Sequence, residues 1–260
     1  MDYYALSTLL TALVFFFSML ILLEVGRRIG IHRLATDTEG ARTGTGTIEG
    51  AIFALLGLLI AFTFSGAASR FEERRHLVIE ETNAIGTAYL RLDLLPAEAQ
   101  PAMRELFQRY VDSRLEVYRK LPDIKAAKVE LAHSLQLQTE IWTQAVAIGQ
   151  RQDALPPATM LLLPALNQMI DITTVRAAAT QMHPPWIIFA MLFGLALASA
   201  LLAGHGMAGS RSRNWLYMIG FAAVMAIVIY VIVDIEYPRL GLIRVDISDQ
   251  ALIELRASMN

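Results

Sequence analysis

Residues 47–96 read TIEGAIFALLGLLIAFTFSGAASRFEERRHLVIEETNAIGTAYLRLDLLP. Within this stretch, residues 50–69 carry no charge, and about 20 such residues cross a bilayer as one helix. Nothing then stops the helix, because no proline occurs before Pro96 and residues 70–95 keep a helical spacing of apolar side chains. Val78, Ile85, Leu92 and Leu95 recur near heptad spacing with charges between them. The stretch predicts one long rod, half in lipid and half in water, against which the rest of the chain packs.

Three further uncharged stretches reach spanning length: residues 3–23, 184–204 and 214–233. Trp186, Trp215 and Tyr217 open the last two, where an aromatic belt places such rings. The first stretch does not read as a signal peptide, since its leading MDYY has no Lys or Arg. Of the 260 residues, 55% are hydrophobic and only 18% charged, and the net charge is −2. No strongly basic face is implied, so nucleic acid is not an expected partner. Without cysteine, disulfides and thiolate metal sites are excluded.

Two short loops, residues 27–47 and 205–214, fall on the same side of a four-span chain. They carry Arg27, Arg28, Arg33, Arg42, Arg211 and Arg213. The positive-inside rule places them in the cytoplasm of a multi-pass inner-membrane protein, with both termini and the large middle region outside. That middle region, after the rod, reads as helices over 97–121, 123–152 and 157–182, with breakers at Pro122 and at Pro156-Pro157. Pro164 is expected to kink the last helix or shift its start. Leu106, Tyr110, Leu115 and Tyr118 form one apolar stripe; Leu131, Leu135, Leu137, Ile141 and Trp142 form another. Residues 234–246 read as a turn, and residues 248–258 as a short closing helix capped by Ser248. The expected layout is all-α: spans 1 and 2 in 1–69, a helical extramembrane bundle in 70–183, spans 3 and 4 in 184–234, and a tail in 235–260.

Span 2 has a stripe of small residues, Gly50, Ala54, Gly57, Ala61, Ser65 and Ala68, and span 3 repeats it with Ala190, Gly194 and Ala198. Small faces let helices approach closely in lipid, either within one subunit or between copies of span 2. Phe53, Leu56 and Ile60 lie on another face and suit a hydrophobic constriction that gates by dewetting. Glu49 begins the helix, where a carboxylate is favoured and where a ring of them attracts cations. Glu49, Phe53, Leu56, Gly57 and Ile60 are therefore the candidate pore and gate. Asp234 and Glu236 end span 4 as interfacial, solvated carboxylates. Glu72, His76 and Glu80 share one face just past span 2, a weak candidate for a divalent metal. No Walker loop, GxSxG or HExxH occurs. The chain is not expected to be an enzyme, and no cofactor is predicted.

Residues 49–96 and the tail DIEYPRLGLIRVD together resemble a family of bacterial four-span membrane proteins labelled bestrophin-like. The tail residues that carry the resemblance are Asp234, Pro238, Gly241, Leu242, Ile243 and Arg244. Bestrophins are pentameric anion channels with a helical region between spans 2 and 3 and a pore lined by span 2. The resemblance implies that plan here: a homo-oligomer, with a pentamer favoured, whose partners are the lipid bilayer and inorganic ions. The identity of the ion stays open. The alternative expectation is a non-conducting membrane sensor or scaffold whose bundle binds a partner or a metal ion.

Overall fold

In a computed structural model, residues 3–36, 45–121, 123–210, 213–238 and 246–259 are described. All regular elements among them are helices: α1 (Tyr3–Thr36), α2 (Thr45–Leu90), α3 (Gln100–Arg119), α4 (Ile124–Gly149), α5 (Pro156–Gln181), α6 (Trp186–Gly206), α7 (Trp215–Glu236) and α8 (Asp246–Ser258). Four helical stretches are long and apolar enough to cross a membrane. The chain divides into two compact units, one of residues 1–69 and 183–237, the other of 70–182 and 238–260.

The rod is real. α2 runs unbroken for 46 residues, about 70 Å at the α-helical rise. It begins at Thr45, inside the segment expected to be loop. It ends at Leu90, short of the expected Pro96, and tightens into a 3-10 turn over Arg91–Leu94. Leu95 then turns extended, the conformation that a following proline imposes. Val78, Ile85, Leu92 and Leu95 are all buried, as their spacing predicts. α1 also outruns expectation. It continues through residues 27–36, because Ile29, Ile31 and Leu34 keep apolar side chains on the helix and no proline interrupts it. The Thr36 hydroxyl finishes the helix by donating to the carbonyls of His32 and Arg33. The remainder of that expected loop, including Arg42, lies outside the described residues.

In the membrane unit, α1, α6 and α7 supply the core, with Met19, Leu23, Leu192, Ala196, Ala200, Met218 and Ala222 fully or almost fully buried. Two backbones nearly touch in it. A Cβ on Gly26 would lie 1.9 Å from the Leu201 carbonyl oxygen, and one on Gly204 would lie 2.0 Å from that of Leu23. Gly30 is also closely faced: a Cβ there would lie 2.5 Å from the Ala208 Cβ and 2.8 Å from the His205 carbonyl oxygen. The small face of α6 that does this is Ala196, Ala200 and Gly204. The expected one, Ala190, Gly194 and Ala198, is exposed. It sits half a helix turn away, and both faces are equally apolar in sequence.

In the second unit the core is Ile85, Leu92, Met103, Phe107, Tyr110, Leu137, Ile141, Leu162, Leu166 and Met169. The α3 stripe is as expected, with Tyr118 only partly buried. The α4 stripe holds at Leu137, Ile141 and Trp142 but not at Leu135, which is 48% exposed, and Ser134 and Gln138 are buried beside it. Leu135 is one residue, or 100°, off the buried face. Gln138 belongs inside because its amide donates to the Tyr110 hydroxyl (2.9 Å) and the Thr173 hydroxyl (3.0 Å). Asp123 caps α4 by accepting from the Ala126 amide at 3.0 Å. Pro156 and Pro157 occupy the first turn of α5, where a missing N–H does no harm, and the helix runs on through Pro164. Arg74 satisfies the end of α5, donating to the carbonyls of Ala179 (3.1 Å) and Met182 (2.9 Å). α8 starts two residues before Ser248, which therefore lies in its first turn and is not the cap. It docks through buried Leu252 and Met259 and through a bidentate Arg256–Asp112 pair at 2.8 and 3.0 Å.

At the α3–α4 junction, Glu130 accepts from Lys120 (2.6 Å) and Ser113 (2.7 Å) and lies 3.0 Å from His133 Nδ1. The Lys120 ammonium first, then the Ser113 hydroxyl and His133, lower its carboxyl to about 2. A lowered folded-state value means the network stabilises fully above the free carboxyl range and weakens as pH falls from about 4.5 towards 2. The stability gap between wild type and Glu130→Gln, measured by thermal melts, is expected to narrow over that window. A gap that stays constant on acidification would contradict this assignment.

Candidate functional site

The membrane half of α2 is the least covered of the four spans: 11% of its apolar window is buried, against 33% for α7. Its residues separate by direction. Glu49, Phe53, Leu56 and Ile60 follow steps of four, three and four and point into their own unit. Leu56 is 3% exposed and Ile60 packs on the membrane core. Phe53 meets Phe221 edge to face, centroids 6.3 Å apart. Glu49 Oε1 lies 3.8 Å from His205 Nδ1. Gly57, turned about 70° from that face, lies clear of the unit, and a Cβ there would meet nothing within 4 Å. The small stripe Gly50, Ala54, Gly57, Ala61 and Ser65 is exposed. Beside it lie Leu55, Leu58 and Phe62, also exposed, the last at 68%. Which bulky residues are covered by the unit itself has no signal in the sequence, because Leu55 and Leu56 are equally apolar and differ only by 100° of rotation.

The acidic end of α7 departs from expectation. Asp234 and Glu236 belong to α7 itself, with Pro238 just beyond it, and are 1% and 0% exposed, not solvated. Glu236 Oε1 lies 3.0 Å from His183 Nδ1, and the His183 ring rests against Tyr237 with centroids 4.5 Å apart. Tyr230 donates to Asp234 at 3.4 Å. His183 was missed because it stands 53 residues from Glu236, with no spacing signal. Gly241 and Arg244 of the tail motif lie outside the described residues.

The weak metal face does not assemble. Glu72 accepts from Arg75 at 2.9 Å and Glu80 pairs with His76 at 3.1 Å. Among the described residues no three His, Cys, Asp or Glu side chains come together in a way that holds a metal ion. On this exposed helical face the nearer arginine takes the first carboxylate.

Four apolar spans, one of them half of a 46-residue rod, and a helical bundle inserted between spans 2 and 3 define an all-α integral membrane protein. The family model of the Bestrophin-like domain matches residues 12–250, and the chain belongs to that family. Its fold is similar to crystal structures of a bacterial bestrophin homologue from Klebsiella pneumoniae. One point variant gives a TM-score of 0.70 at 14% identity, covering 94% of this chain and 98% of that one. A second gives 0.68 at 14% identity, covering 93% and 97%. The form phased on zinc gives 0.66 at 14% identity, covering 92% and 97%. No curated protein matches the sequence.

Proposed function

We propose that the protein is a homo-oligomeric ion channel whose pore is lined by α2, with a pentamer favoured by the resemblance to bestrophins. The observation that carries this reading is the open membrane half of α2, which leaves half its circumference uncovered by its own subunit. Gly50, Ala54, Gly57, Ala61 and Ser65 let the next copy approach closely. Leu55, Leu58 and Phe62, turned about 90° from that stripe, then face the axis as a dewetting constriction. Phe53, Leu56 and Ile60 brace α2 from behind, and Glu49 holds its start near His205. The short basic ends of α1 and α6–α7 face the cytoplasm, and the bundle and termini face outward.

Flux from liposomes loaded with an ion-sensitive dye tests this. Wild type is expected to pass ions, and Leu58→Ser with Phe62→Ser to raise the rate about tenfold or more by wetting the constriction. Gly57→Ile is expected to abolish flux and the oligomer together while leaving the subunit folded, since that position is empty within the chain. No flux from any of these proteins would sink the reading and leave the sensor or scaffold as its rival.

A further inference from the structure

We propose that the end of α1 is a binding site for one anionic phospholipid, with its headgroup phosphate held by Arg28 and Arg33 and an acyl chain lying along the exposed face of the same helix. Two independent features meet there. The first is apolar. Leu10, Val14, Phe17, Ile21, Val25 and Ile29 recur at steps of three and four, and each is 39% exposed or more. They make a continuous track along one face of α1.

The second feature is polar and lies where that track ends. α1 continues past the last residue of its uncharged stretch for about 18 Å of helix, from Glu24 to Thr36. On this extension Arg28, Ile29, His32, Arg33 and Thr36 lie together on one open face of the helix. Arg28 and His32 are one turn apart, and Arg33 flanks the same face. The Arg28 side chain is 71% exposed even though its Nε donates to Glu24 at 2.9 Å.

Charge at this end favours an anion. Glu24 is shared among Arg27 (3.2 Å), Arg28 and Arg213 (3.1 Å). Arg33 adds a fourth guanidinium, and Glu49 is the only other carboxylate among the described residues at this end of the unit. Over the full sequence of this end, residues 24–49 and 205–214, six arginines stand against Glu24, Asp37, Glu39 and Glu49, which leaves a surplus of positive charge. An apolar track running into a basic helix face matches the amphipathic length of a phospholipid better than a soluble anion, which has no use for the track. A guanidinium also grips a phosphate by two parallel hydrogen bonds. The inference rests on α1 spanning the membrane, not on conduction.

Native mass spectrometry of the whole detergent-solubilised protein tests it, with phosphatidylglycerol and phosphatidylcholine of identical acyl chains as probes. Wild type is expected to retain phosphatidylglycerol in preference. Arg33→Gln, which leaves the Glu24 pairs intact, should lower that preference about fivefold, and adding Arg28→Gln should lower it about fivefold again. Val25→Ser with Ile29→Ser should weaken both lipids alike. Equal retention of the two lipids by wild type would overturn the proposal. So would displacement of phosphatidylglycerol by millimolar inorganic phosphate, which would mark a soluble-anion site. Lipid preference without ion flux would leave this site standing and fault the channel reading; flux without preference would do the reverse.

Discussion

Glu81→Ala is expected to destabilise the extramembrane bundle by about 3–5 kcal/mol, a fall in Tm on the order of 10 °C for a unit of this size. Glu81 is fully buried on α2 and holds two guanidiniums: Arg114 from α3 donates to one carboxylate oxygen at 2.6 Å, and Arg176 from α5 donates to the other. Both arginines are themselves buried and lie over the Tyr118 ring, at 5.6 and 4.7 Å from its centroid. Removing the carboxylate leaves two buried positive charges facing each other without the counter-ion they share. The same physics predicts recovery. Glu81→Leu combined with Arg114→Met and Arg176→Met should regain most of the loss, because a buried ion network is exchangeable for packed apolar groups while half a network is not. Thermal melts followed by circular dichroism in detergent measure both. A Glu81→Ala protein that melts with wild type would show that the network contributes nothing.

Gly204→Ala and Gly26→Ala are expected to prevent the membrane unit from forming its native crossing. The added methyl would sit about 2 Å from a backbone carbonyl oxygen of the facing helix in each case. A flexible side chain can swing away from such a clash; two backbones locked in helices cannot. The penalty should exceed the usual overpacking range, reaching about 3 kcal/mol or more. Gly194→Ala and Gly220→Ala are the internal controls. A Cβ at either position meets nothing within 4 Å, so alanine there should be neutral or slightly stabilising through its better helix propensity. The fraction of protein that stays monodisperse on size exclusion after heating separates the two classes. Wild-type behaviour of Gly204→Ala would refute the close crossing.

Much of this architecture was legible from hydropathy and breakers. The four spans, the unbroken rod and the helix boundaries at prolines all follow from local rules, because lipid demands long uncharged helices and proline removes a donor. Rotation about the helix axis was not legible inside the membrane. In a soluble helix the polar face marks solvent, as the α3 stripe does through Leu106 and Tyr110. In α2 and α6 every face is apolar, so Leu55 and Leu56, or Gly194 and Gly204, look equivalent until neighbours are placed. The other failures are long-range pairs. Glu81 finds Arg176 across 95 residues and Glu236 finds His183 across 53, and no periodicity joins them. Gln138 reads as surface until Tyr110 and Thr173 appear beside it. Glu72, His76 and Glu80 show the converse error. Correct spacing on one helix face places side chains near each other, but Arg75 and the His76–Glu80 pair leave no three of them free to converge.

The central claim is that α2, left open by its own subunit, is completed by copies of itself around a pore. Particle class averages of the detergent-solubilised protein, with native mass for the count, test that most directly. The account predicts a closed ring, five subunits favoured, with α2 nearest the symmetry axis. A monomer, or a compact dimer with α2 facing lipid, would contradict it.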